Sequence, residues 1–463
     1  MGNEYIYDGF NNDEGLRLPS YMAIFPRSNS YHFSQKELEK DLGACKDFMV
    51  VSIQPYVPEE EEDNNAFQDF EVQAVIIYKK IEYSFLIYAI DAKQFDLSTF
   101  SFANTIDNES LRIAQQQPFA LSTKIFFDVE DPLESFLFQL KVLHAIMPQA
   151  SLVVDFSSYK LLSPFWLEMT AESNIPPSPN YLYIIHAVYD KEENGEAQYW
   201  MHTHGLHRCG AMELEVVNIK SGAQQMFDLL NTTANLFIWD FFKENEPFQV
   251  GYDGLGIHLC WQRWEEALKT LPKNTLGGFD DRIEEDGDYN VHSEPSGILF
   301  AVEDGHLISP EIYASTLADN PIFLVKEEET LRMSALAKKR FDLFKKAFET
   351  YGEKKEEKKG LLKKLFNKSE DNPKWNFHIK LGLITDEAED ENDREHLWFE
   401  VLAIDEKNNL TGKLLNQPYW IEGLNENDIK TFPVFEVLTD WTIDSPTRNY
   451  TPDSIYLLRQ DFE

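Results

Sequence analysis

The densest group of metal-capable side chains lies in WMHTHGLHRCGAMELEV, residues 200–216, where His202, His204, His207 and Cys209 sit close together. Side chains alternate along an extended strand, so His202 and His204 share a face if this segment is a strand. An imidazole pair of that kind binds zinc, with His207, Cys209 or Glu213 completing a tetrahedron. The spacing is not that of HExxH, in which a glutamate base lies on the same helix as its histidine ligands. Gly205 and Gly210 mark a tight turn, where the same histidines can serve as turn and capping groups. The segment therefore supports a structural or recognition role and, beside it, a metal site with zinc as its ion. No motif in the chain calls for any other cofactor.

Other chemistry-bearing patterns are weaker. Asp155 ends an apolar run and is followed by Ser157 and Ser158, a place where α/β folds put functional groups. Without a GxSxG elbow these side chains read as capping groups. GYDGLGIH, Gly251–His258, lacks the Lys-Ser/Thr of a phosphate loop, and no GxGxxG occurs, so nucleotide binding is not expected. GGFDDRIEEDGDYN, Gly277–Asn290, departs from EF-hand spacing and reads as an exposed polar loop.

These segments are carried by a chain of 463 residues with 42 Lys+Arg against 80 Asp+Glu, a net charge of −38. Such a charge argues against a protein whose main task is to hold nucleic acid or an anionic membrane. It suits a basic protein partner, or solubility alone. Hydrophobic residues at 43% and aromatics at 14% supply packed cores, so the chain is not a disordered polyanion. Its first residues, MGNEYIYDGFNNDEG, have neither a basic n-region nor an apolar core, and no secretory signal is expected. Apolar runs are too short to span a bilayer. Three scattered cysteines, Cys45, Cys209 and Cys260, make no disulfide framework, and the expected location is the cytoplasm.

The elements that position the candidates can be read from pattern. Ser34 and Glu37 form a capping box that starts a short helix ending near Gly43. Asp47–Val57 reads as a strand, Glu59–Asp63 as a solvated loop, and FEVQAVIIY with YSFLIYAI as an antiparallel hairpin. Asp131-Pro132 begins a helix with Leu133, Phe136, Leu137, Leu140 and Met147 on one face. Pro148 stops it, so residues 122–156 form a strand–helix–strand unit. YLYIIHAVY, YWMH, MELEVVNI, IHLCWQRW, GILFAVE and PIFLV are further strands, and Ala223–Lys243 is an apolar helix.

Composition breaks between Lys338 and Lys368, which carry 12 Lys/Arg and 5 Asp/Glu. Phe341, Phe344, Phe348 and Tyr351 there form a helical stripe that Gly352 ends. The lysine-rich remainder, with Leu361, Leu362, Leu365 and Phe366, reads as a charged linker or as a peripheral membrane contact over 338–368. From Trp375 onward, short strands and turns point to a small, bent, partly closed sheet.

Within that last segment EHLWFEV (Glu395–Val401), TGKLLNQPYW (Thr411–Trp420) and Asp440-Trp441 occur in order. The module resembles the YegJ-like bacterial domain of unknown function. That family is marked by an aromatic-acidic strand, a Gly-x-Leu-x-Asn-x-Pro-like turn and a closing Asp-Trp. Asn427-Asp428 stands where the resemblance leads one to expect Gly-Asp. It brings forward Trp398, Glu400, Asn416, Pro418, Asp440 and Trp441 as candidate binding residues, with Trp398 and Asp440-Trp441 equally suited to anchoring the core. The larger N-terminal part, through Trp200–Val216, is similar to an uncharacterised bacterial family that ends in this module. By association the resemblance implies a neighbourhood of toxin–immunity genes and no particular activity.

The resulting expectation is an α+β protein: a mixed-sheet, two-lobed N-terminal region and a small β-rich, partly barrel-like C-terminal domain. Its parts are an α+β lobe over 1–120, an α/β lobe over 121–337, a basic helix and linker over 338–374, and the β-rich domain over 375–463. The leading functional expectation is a non-enzymatic protein-binding protein of the immunity or toxin-neutralising type, with a strongly acidic surface that attracts a basic partner. The competing expectations are a metal-dependent hydrolase using His202 and His204, and a membrane-peripheral adaptor using the basic linker.

Overall fold

The structure, a computed structural model, describes residues 4–10, 16–28, 31–56, 70–128, 130–191, 197–251, 256–283, 290–319, 327–352, 375–388, 390 and 393–459. The acidic run at 59–63, the strand expected at 321–325 and the apolar part of the basic linker lie outside the described residues. The chain divides into two compact units, 1–324 and 325–463.

The first unit begins with α1 (Glu4–Phe10), β1 (Ser20–Pro26), α2 (Gln35–Ala44), β2 (Met49–Pro55), β3 (Glu71–Tyr78) and β4 (Ile81–Asp91). There follow β5 (Ser101–Phe102), α3 (Asn108–Gln115), β6 (Phe119–Ile125), α4 (Pro132–Ile146), β7 (Ala150–Asp155), β8 (Lys160–Leu162) and α5 (Pro164–Ala171). The eight strands form one sheet in the order β2-β3-β4-β6-β1-β7-β8-β5. Local sequence explains the boundaries. Ser34 caps α2 by accepting the Glu37 backbone N–H, and its hydroxyl donates to the Glu37 carboxylate. Asp131 accepts the Glu134 N–H at 2.9 Å and Pro132 opens α4. The β3–β4 hairpin turns on Lys79 and Lys80, both with positive φ, as a two-residue turn requires.

The strand–helix–strand unit of β6, α4 and β7 is present with a difference. Strand β1 lies between β6 and β7 and pairs antiparallel with both, so the unit is split. Helix α4 is buried nearly all round rather than on one face, with Phe138 stacked on Tyr78 at 4.5 Å. That burial explains why its sequence is apolar well beyond a single stripe.

A second sheet of the same unit is built from β9 (Ile184–Lys191), β10 (Ala197–His204), β11 (Leu214–Ile219), β12 (Phe248–Val250), β13 (Ile257–Arg263), β14 (Gly297–Glu303) and β15 (His306–Ile308). Its order is β12-β13-β14-β11-β10-β9, with β15 paired to β14, and only β11 and β14 run parallel. Helix α6 (Ala223–Trp239) packs on β10 and β11, and α7 (Trp264–Ala267) and α8 (Ala314–Asp319) complete the unit.

The second unit holds α9 (Glu327–Lys339), α10 (Phe341–Tyr351), β16 (Asn376–Ile384), β17 (Arg394–Ile404), β18 (Asn409–Leu414), β19 (Ile429–Pro433), β20 (Leu438–Asp444) and β21 (Asn449–Tyr450). Its antiparallel sheet has the order β19-β18-β17-β16-β20-β21 and is open; none of the three sheets closes into a barrel. The architecture is thus α+β. Phe341 and Phe344 of α10 are fully buried, Phe344 lying 5.1 Å from the Trp441 ring, so the aromatic stripe is core of this unit. Asn427 has φ 72, a left-handed conformation that asparagine tolerates better than most residues, so the turn survives without the expected glycine.

Burial raises the Asp440 carboxyl to about 6, against the lowering effect of its bond from the Trp441 N–H and the charge of Lys380. A carboxyl raised on folding contributes stability that is full below the unfolded value near 4 and lost as pH rises through 6. Replacing it with the neutral isostere, Asp440→Asn, should therefore stabilise the second unit by on the order of 2 kcal/mol at pH 8 and by little at pH 4. Thermal unfolding of the full chain at both pH values checks this.

Candidate functional site

Strands β9 and β10 pair antiparallel with His202 directly opposite His186. His204, two residues on from His202, faces the same way, so the hairpin collects three imidazoles on one face. One ligand nitrogen of each lies within 4.8 Å of those of the other two. Ring centroids are 4.9 Å apart for His202–His204, 5.1 Å for His186–His204 and 5.7 Å for His186–His202. His292 adds a fourth ring, 4.8 Å from His202. His202 is 3% exposed, and neither of its ring nitrogens has a hydrogen-bond partner. Burial pushes His202 down to about 3 and His204 to about 4, and lowers His186 and His292 as well. At neutral pH the cluster is uncharged, with lone pairs free to bind an electrophile.

The turn after His204 is fixed by Gly205, at φ +113, where an added Cβ would come within 2.3 Å of the Leu182 carbonyl oxygen. A short 3-10 turn, Leu206–Cys209, follows. It brings His207 Nδ1 to 2.8 Å from Glu213 Oε1, which also accepts the backbone N–H groups of Gly205 and His207. Thr203 donates to the other Glu213 oxygen at 2.6 Å. Burial by itself would raise the Glu213 carboxyl, but the bond and charge of His207, with His204 and Thr203, outweigh it and hold it at about 2.

The sequence candidates are thus distributed as follows. His202 and His204 come together with His186, while His207 is engaged with Glu213. Cys209 is buried on the 3-10 turn, outside the three-imidazole group, and burial pushes its thiol up to about 12. Glu213, with four donors around it, is a positioning group for the turn. His186 lies in an apolar strand, and only the β9–β10 register brings it to the cluster. His292 is brought in by the polar loop, whose Arg282 is buried and donates to both Glu215 oxygens at 3.0 and 2.6 Å and to the His292 carbonyl at 3.0 Å.

Asp155 does not cap a helix. Its carboxylate faces Arg208, also fully buried, in a bidentate pair at 3.0 and 2.7 Å, and accepts the Ser158 hydroxyl and the Ser157 N–H. In the second unit, strand register puts Trp398, Glu400 and Asp440 on one face of the sheet with Lys380, whose ammonium lies 5.8 Å from the Trp398 ring. Trp441 is on the opposite, core face. Its indole N–H donates to the Ala337 carbonyl at 3.0 Å, not to a carboxylate. Asn416 accepts the Trp398 backbone N–H and Pro418 is buried, so the six candidates do not converge on one site.

A cavity of about 460 Å³ adjoins the three-imidazole group, with His204, His207, Glu213 and Tyr159 among the residues lining it. Tyr159 holds an unusual φ of 50, and its ring stands edge-on to His204 at 5.0 Å.

Residues 20–177 match the family model described as protein of unknown function (DUF4026) N-terminal, and residues 185–300 match protein of unknown function (DUF4026) C-terminal. Residues 334–463 match uncharacterized protein conserved in bacteria (DUF2314). Comparison with curated proteins and with solved structures finds no match.

Removing one partner of the Asp155–Arg208 pair leaves a buried charge uncompensated. Asp155→Ala should cost about 3–5 kcal/mol, whereas the double replacement Asp155→Leu with Arg208→Met should cost far less. Urea unfolding followed by tryptophan fluorescence compares the two.

Proposed function

We propose that this chain, an uncharacterised bacterial protein carrying both DUF4026 domains and a DUF2314 domain, holds a zinc-type metal ion on His186, His202 and His204 and uses it for hydrolysis. The observation that carries this reading is His202: buried, uncharged, with two unpartnered nitrogens, and set among three other imidazoles. Buried polar atoms are nearly always satisfied, and an exception in a cluster of good ligands fits an ion. Three histidines are a donor set that leaves a coordination position open, and zinc so held lowers the pKa of its bound water to roughly 7. The adjoining cavity gives a substrate somewhere to sit.

A second reading rests on charge. A net −38 would steer a basic protein and speed its association, consistent with a cytoplasmic binding protein of the immunity or toxin-neutralising type. The likeness of the C-terminal module to YegJ-like domains belongs with that reading. Membrane attachment through 338–368 rests on Leu361, Leu362, Leu365 and Phe366 among lysines, which lie outside the described residues. Among the described residues no helix is long and apolar enough to cross a membrane.

Elemental analysis of untagged protein decides the first reading. About one zinc or similar ion per chain is expected, falling to near zero in His202→Ala and His204→Ala while circular dichroism stays unchanged. A chain that stays metal-free after reconstitution with zinc, cobalt and nickel overturns it.

A further inference from the structure

The cavity beside the imidazole cluster has a wall of defined chemistry. Its volume of about 460 Å³ falls within the range of small-molecule sites, roughly 300–1,000 Å³. Ile6, Phe10, Leu18, Pro19 and Phe156 give it an apolar lining drawn from α1, the segment before β1 and the residue after β7. Tyr159, His204, His207, Glu213 and Glu294 supply most of its polar groups. No lysine or arginine lines it among the described residues, whereas sites for phosphate and carboxylate groups rely on such cations for charge and bidentate bonds. Glu213 is ionised, so an anion entering here meets like charge.

Tyr159 points to what the cavity accepts instead. An aromatic residue in the left-handed region is strained, and such strain gathers at ligand sites. Its hydroxyl has no hydrogen-bond partner among the described residues. A phenol hydroxyl can donate a hydrogen bond to a ligand's acceptor, and here it lines the cavity beside His204. A donor near a would-be metal ion, in a cavity with no cation, suits a neutral carbonyl oxygen.

We propose that the cavity binds an uncharged acyl compound with an apolar body, an ester or amide, and that this is the substrate class of the centre. The hydrolytic step rests on the metal reading above; the binding step does not. In hydrolysis the oxygen of water bonds to the acyl carbon, the acyl C–O or C–N bond breaks, and the alcohol or amine leaves with a proton from that water. The acid then releases its own proton, and no oxidant or other co-reactant is consumed.

Two ligands of equal body and different charge test the binding step on the metal-free full chain. Hexanamide should raise the melting temperature in a saturable way, and hexanoate should bind at least about tenfold more weakly. Leu18→Trp, which fills the cavity, should abolish the hexanamide shift, and Tyr159→Phe should weaken it several-fold, while after separate reconstitution that variant takes up as much zinc as the wild type. Equal or tighter binding of hexanoate, or no binding of either to the wild-type chain, overturns the proposal whatever the variants do. The catalytic step is then read on zinc-reconstituted protein with 4-nitrophenyl butyrate and bis(4-nitrophenyl) phosphate, zinc being measured in the same sample. Cleavage of the butyrate at least tenfold above His202→Ala, with the phosphodiester untouched, is the expected result. Zinc bound with the ester uncleaved, or with the phosphodiester cleaved faster, overturns the substrate class and leaves the metal reading standing. No zinc bound, with hexanamide still binding, overturns the metal reading alone.

Discussion

The first unit depends on a guanidinium that has no route to water. Arg208 donates to both Asp155 oxygens, to the Ser20 hydroxyl and to the Leu182 carbonyl, and lies 5.0 Å from the Phe136 ring. Asp155 and Ser20 belong to the first sheet, while Arg208 follows β10 of the second, so the pair ties the two sheets together. A buried ion pair of this kind is a costly way to gain stability, because both ions lose their hydration. What it supplies is register. Any slip of the sheets leaves two charges unsatisfied, whereas an apolar contact would tolerate the slip. The pair therefore sets where the Leu206–Cys209 turn sits, and with it the place of His207 and Glu213.

A second buried pair does the same on the other side of the cluster. Glu215 accepts two bonds from Arg282 and one from the Trp200 indole N–H at 2.6 Å, and burial, which would raise its carboxyl, is outweighed by the Arg282 charge. Arg282 stacks on Trp200 and Trp264 at 5.2 and 4.8 Å and holds the loop that carries His292. The histidines thus lie between two fixed charged anchors while carrying no charge themselves. Glu215 and Arg282 are hydrogen-bonded to one another and to their surroundings, whereas both nitrogens of the buried His202 ring have no hydrogen-bond partner. Leaving both nitrogens of His202 dry costs free energy that the ring contacts of neighbouring aromatics return only in part. That imbalance is the physical reason to look for an ion there.

Much of this was legible in the sequence where the signal was local. The capping box at Ser34, the Asp131-Pro132 helix start, the β3–β4 hairpin and the shared face of His202 and His204 all follow from residues within a few positions of one another. What was not legible depends on pairing across long separations. His186 joins the cluster through strand register, which an apolar run does not announce. Asp155 looked like a cap because its partner lies 53 residues on, and the polar loop looked solvated because its arginine had no visible carboxylate to meet. The insertion of β1 between β6 and β7 is equally invisible, since β1 precedes both by a long stretch of chain. In the second unit, the spacing of the aromatic stripe on α10 marks a helical face, but its partner Trp441 lies far along the chain.

The same contrast between local and distant contacts bears on how the site behaves. The three imidazoles sit on a single hairpin, β9–β10, and their arrangement needs little beyond that hairpin and its neighbour β11. The cavity is different, since Ile6 and Pro295 line the same space. One wall is α1, a seven-residue helix too short to hold itself together in water. It is fastened by Tyr7, whose hydroxyl donates to Glu265 at 2.7 Å. Loosening the contact between the two sheets would therefore open the cavity before it scattered the histidines. The ion binding and substrate binding proposed here would in this sense be separable, the first resting on a local β-pairing and the second on the packing of the whole first unit. All the residues of both lie within 1–324, so the chemistry proposed for this chain draws its named groups from the two DUF4026 domains and the helix that precedes them.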